Sequence, residues 1–139
     1  NYIRMPRLTA LFCYVVGLMY LALGMWCAIS PEKTSAVVGF ELIGGAGMSE
    51  FLTVYGGLEI GMGMIFLLPF FGERFLEYTL LVCVLLHANL VVFRTLSFVF
   101  YSDIASGTYK LAIGEWVIFL LGIILYRTMF KSATFKPES

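Results

Sequence analysis

Glu59, His87, Arg94 and Glu115 each interrupt a long apolar run, and with Glu50 and Asn89 they are the residues of this chain whose types and spacing suggest chemistry. A carboxyl and an imidazole at one depth, Glu59 and His87, would accept and donate a proton, or hold the polar head of an apolar ligand. The alternative is that they lock neighbouring helices in register through hydrogen bonds. Arg94 carries five donors and serves two carboxylates at once. Glu50 and Glu115 are the candidates, with Asp103 close by in sequence.

The elements that must position these groups follow from composition. The chain has 139 residues, 60% hydrophobic and 13% charged, with a mean hydropathy of +0.92. An average soluble domain is about 25% charged. Such a chain cannot cover itself with a soluble surface, so it reads as all-α: one integral membrane domain, residues 1–139, folded as an antiparallel four-helix bundle with short connections. Its immediate partners are then membrane lipids. The net charge is zero and no basic patch with interleaved aromatics occurs, which excludes a nucleic-acid partner.

Four spans are predicted, over about 8–29, 50–70, 75–99 and 111–129. Pro31 ends the first by disfavouring helix at Ser30. Thr34 to Ser49 is the longest connection, with an interfacial turn or strand-like piece near residues 37–42 and a flexible loop at Gly44-Gly45-Ala46-Gly47. The second span carries Tyr55-Gly56-Gly57-Leu58-Glu59-Ile60-Gly61-Met62-Gly63. Gly56, Gly57, Gly61 and Gly63 are helix-packing candidates, because small residues let helices approach closely in lipid, and Gly57-x-x-x-Gly61 has the favoured spacing. A turn at residues 71–74 leads to the third span, which holds His87, Asn89 and Arg94. A loop from Phe100 to Lys110 leads to the fourth, which holds Glu115, and Phe130 to Ser139 is a tail.

Arg4, Arg7, Arg74, Arg127, Lys131 and Lys136 fall on one side and Lys33 and Lys110 on the other, so both termini are expected in the cytoplasm. At 1.5 Å per residue, Glu59 and His87 both fall near the bilayer centre, Arg94 lies about 10 Å further out and Glu115 about 7 Å out. An ionisable group at such depth is rare and marks function by default. Arg94, Glu115 and Glu50 therefore form an expected outer cluster above a Glu59–His87 floor, although about 180° separates Glu50 from Glu59 on a regular helix.

Other chemistries lack their patterns. Cys13, Cys27 and Cys83 form neither a Cys-x-x-Cys nor a Cys/His cluster, so no metal site is expected. His87, the single histidine, has no companion haem ligand, Glu-x-x-His pairs are missing, and the glycine run is not a phosphate loop. No nucleophile elbow occurs and no cofactor is expected.

The segment from Glu50 to Gly63, with its Tyr-Gly-Gly-Leu-x-x-Gly-x-Gly core, resembles the second span of small bacterial proteins grouped as the domain of unknown function 4345 family. Arg94-Thr95-Leu96-Ser97, followed by Asp103 and Gly107, is similar to that family's third span and the loop after it. The resemblance covers Leu8 to Tyr126. It implies four spans in a bacterial cytoplasmic membrane and brings no known activity. A more distant similarity to DoxX-like four-helix membrane proteins rests on topology.

Three functions remain open. The first is a non-catalytic accessory or interaction subunit of a larger membrane complex, or a homo-oligomer, suggested by the glycine-rich faces and the small extramembrane portion. The second is a binder of an apolar ligand, a lipid, sterol-like compound or quinone, in an outward-opening cavity. The third is a membrane enzyme of lipid or quinone chemistry using Glu59 and His87 as acid and base.

Overall fold

A computed structural model of the chain describes residues 4–133. Lys136, counted above for orientation, lies outside the described residues, as do the first three residues and the tail beyond Ala133. Every regular element among the described residues is helical: α1 (Arg4–Ile29), α2 (Pro31–Val37), α3 (Gly44–Phe51), a π-helical stretch (Leu52–Leu58), α4 (Glu59–Phe66), 3-10 turns at Leu68–Phe71 and Glu73–Phe75, α5 (Leu76–Phe100) and α6 (Ser106–Ala133). Three stretches are each long and apolar enough to cross a membrane: Pro6–Ile29, Glu73–Phe100 and Ser106–Met129.

α1 is the helix the others pack on. Cys13, Val16, Tyr20, Gly24 and Cys27 are buried at spacings of three and four, which places them on one face. Val16 and Tyr20 join Phe66, Cys83 and Ile118 in one core cluster, and Cys13 joins Leu76 and Leu80 in another. A β-carbon on Gly63 would sit 2.9 Å from the Gly17 carbonyl oxygen, and one on Gly24 would sit 2.9 Å from the Ile60 nitrogen. As numbers rise along α1 they fall along its partner, so the two segments run in opposite senses. α5 and α6 are likewise opposed: Arg94 meets Glu115, and Val84 lies against Gly122.

The second predicted span differs most from expectation. Gly44 to Gly47 is not a loop but the first turn of α3. The Gly47 N–H donates to the Ile43 carbonyl at 3.1 Å, and backbone pairing offsets the cost of glycine in a helix. Helical backbone then continues from Gly44 to Phe66, not from Glu50 to Phe70, because Pro69 falls in a 3-10 turn. The π-helical stretch divides it at Leu52–Leu58. Such widening favours sites where the backbone bends easily, and Gly56-Gly57 supplies one.

The connections also shift. Pro31 starts α2 directly after α1, a position its fixed φ suits, and of the turn or strand-like piece expected near residues 37–42 the turn is present, at Val38 and Gly39. Thr34 and Ser35 are buried there and donate back to the carbonyls of Ser30 and Glu32. α5 runs from Leu76 to Phe100, one residue later than predicted at each end. α6 starts at Ser106 rather than Leu111 and continues past Met129 to Ala133. Its early start depends on Gly107, where any β-carbon would overlap the Val37 carbonyl oxygen of α2.

Candidate functional site

The polar residues of the interior fall into two separate groups, one closed and one open. The closed group centres on His87, which is fully buried on α5. Its Nδ1 lies 2.8 Å from the carbonyl oxygen of Cys83, one turn earlier. A carbonyl only accepts, so Nδ1 carries the hydrogen and Nε2 is the acceptor. Tyr20 of α1 donates its phenolic hydrogen to that Nε2 at 3.0 Å. The rings of Tyr20 and Phe66 enclose the imidazole, with centroids 5.8 and 6.2 Å away. Both ring nitrogens are thus satisfied, and neither is left for a substrate or a metal.

Glu59 is not His87's partner, contrary to the equal depth expected for them. Tyr20 takes that place. Depth counting sets the height of each group but not its rotation about the helix, nor which third helix comes between. Among the described residues Glu59 Oε2 is the one buried side-chain oxygen or nitrogen with no hydrogen-bond partner.

The open group is built on Arg94 and Glu115. Arg94 Nε donates to Glu115 Oε2 at 3.0 Å and Nη2 to Oε1 at 2.7 Å, a bidentate pair whose planar fork matches the carboxylate. The side chains are 26% and 12% exposed. Arg94 does not gather the wider cluster expected of it. Glu50 is exposed at the end of α3, and Asp103 is exposed in the α5–α6 link, where it adopts a left-handed φ of 58°. Neither makes an ion pair among the described residues.

Along the same helix runs a groove of about 610 Å³ lined by Leu86, Asn89, Leu90, Phe93, Arg94 and Ser97. Leu86, Leu90, Phe93 and Ser97 are spaced at i, i+4, i+7 and i+11, so they form one stripe of α5. Asn89 Nδ2 donates to the Leu85 carbonyl at 2.9 Å, and Ser97 Oγ donates to the Arg94 carbonyl at 2.7 Å. The Ser97 hydroxyl and one of the two Asn89 N–H groups are taken up by backbone, and the Asn89 Oδ1 and Ser97 Oγ lone pairs are acceptors.

The glycines divide by task. Gly56 lies on Ala28 of α1 and Gly63 on Gly17 and Leu21, whereas β-carbons on Gly57 and Gly61 would meet nothing within 4 Å. Among the described residues Gly57 and Gly61 therefore pack against no other helix. No three His, Cys, Asp or Glu side chains among the described residues gather as a metal site.

Sequence reasoning missed Tyr20 and the apolar stripe of the groove. The Cys83–His87 spacing of four was visible, but a tyrosine on another helix carries no such signal. Comparison of the chain with protein-family models, with curated proteins and with solved structures finds no match to any of them.

Proposed function

We propose that the helical segments cross a membrane as an antiparallel four-helix bundle, with both termini cytoplasmic, and that the chain holds an apolar ligand with a small polar head in the groove along α5. The membrane proposed is the cytoplasmic membrane of a bacterium. Several observations support the membrane setting. Gly44 to Phe66, at about 1.5 Å per residue, is roughly 35 Å long, enough for a fourth crossing. The outer faces are apolar: Ile113, Val117, Leu120, Leu121 and Ile124 of α6 are all exposed, a surface that water would penalise and lipid would not.

The groove carries the ligand reading. Its volume falls in the range of small-molecule sites, and its lining combines an apolar stripe with a few polar groups, the usual composition of such sites. The closed bonding of His87 weighs against acid–base chemistry there. Native mass spectrometry of gently extracted protein tests the reading. A defined small-molecule mass that is retained by the native chain and lost in Leu90→Trp, which fills the groove, is expected. Unchanged ligand content in that variant overturns it.

The accessory-subunit reading has its own support in Gly57 and Gly61, which leave a small-residue strip open on the outer side of the second segment. A stoichiometric protein partner, or a second copy, released by Gly61→Leu would favour it. A lone chain in the same spectra speaks against it.

A further inference from the structure

We propose that the groove along α5 selects an uncharged, hydroxyl-headed lipid and rejects the anionic lipid of the same chain. This rests on the ligand reading given above and concerns the head the groove takes.

The charge at its polar lining is already balanced. Arg94 is the cationic side chain of the lining, and its guanidinium is held by both oxygens of Glu115. A phosphate would need surplus positive charge to repay the loss of its hydration, and the lining offers no lysine or second arginine.

What the groove does offer suits a hydroxyl. Among the described residues no hydrogen bond engages Arg94 Nη1, which therefore has N–H groups to donate. Asn89 Oδ1 and Ser97 Oγ have lone pairs to accept, beside the one Asn89 N–H and the Ser97 hydroxyl that are bound to backbone carbonyls. A hydroxyl both accepts and donates, so it satisfies donor and acceptor at once. Leu86, Leu90 and Phe93 line the path for the chain that carries it.

The test uses a matched pair of probes, geranylgeraniol and geranylgeranyl monophosphate, titrated separately into delipidated full-length protein in neutral detergent and read by native mass spectrometry. The alcohol is expected to bind at least about tenfold more tightly than the phosphate. Glu115→Gln releases the charge of Arg94 and is expected to shrink that ratio about tenfold or more. Equal or tighter binding of the phosphate to the native protein overturns the inference while leaving the ligand reading intact. An unchanged ratio in a folded Glu115→Gln variant overturns the role given to the ion pair. If neither probe binds, the ligand reading falls and this inference with it. Should Glu115→Gln fail to fold, the ratio for the native protein still decides.

Discussion

Tyr20 on α1 and His87 on α5 share a 3.0 Å hydrogen bond inside the core, with the phenol as donor and Nε2 as acceptor. The bond ties two helices together and takes up the last free nitrogen of the chain's one histidine. Tyr20→Phe keeps the ring but orphans a buried acceptor, which costs about 1–3 kcal/mol. His87→Phe in the same chain removes the orphan, so the double variant is expected to lose less than the two single variants added together. Thermal unfolding of the four proteins in one detergent gives the coupling. Strict additivity would mean that the bond does not exist in solution.

Breaking the second polar contact has a different signature. Glu115→Ala removes both acceptors of Arg94 and leaves a charge that is only a quarter exposed. Hydrogen bonds to charged groups contribute about 1.5–3 kcal/mol, so a loss in that range is expected. The exchange Arg94→Glu with Glu115→Arg should recover part of it, because the pair would be restored in reverse. A recovery of zero, measured by the same melts, would show that Arg94 is held by something other than Glu115.

Two glycines in one turn give opposite outcomes. Gly63→Ala places a β-carbon 2.9 Å from the Gly17 carbonyl, and backbone cannot move aside as a side chain can. Overpacking of this kind costs about 1–3 kcal/mol. Gly61→Ala meets open space and should leave stability unchanged or raise it by less than about 1 kcal/mol, the helix preference of alanine. Melting curves of the two variants side by side check this. A Gly61→Ala loss as large as that of Gly63→Ala would reveal a packed neighbour at Gly61, which the accessory-subunit reading requires.

Glu59 is expected to be dispensable for stability. Its Oε2 is buried with no partner, and replacing an unsatisfied polar group by an apolar one of similar size is neutral or stabilising. Glu59→Leu should therefore melt at or above the temperature of the native protein. A drop of more than about 2 kcal/mol would assign Glu59 a structural bond.

Much of the architecture is legible along the chain because its signals are local. The apolar runs from Leu8 to Ile29, Phe75 to Val99 and Leu111 to Met129 are long enough to announce helices, and three helices of crossing length lie over them. The heights of Arg94 and Glu115 follow from counting residues along rods of known rise. Rotation and intrusion do not follow in this way. Counting residues predicts one height for Glu59 and His87, yet whether they touch depends on how α4 and α5 are turned and on Tyr20 arriving from α1. The helical start at Gly44, against the preference of its glycines, depends on backbone bonds that form only once the turn closes. The division between Gly56 and Gly63, which pack on α1, and Gly57 and Gly61, which pack on nothing among the described residues, depends on which face of one helix meets another. Composition and spacing describe a helix as a rod with a length, whereas its azimuth is decided jointly by every side chain packed around it, and that is information only the tertiary structure holds.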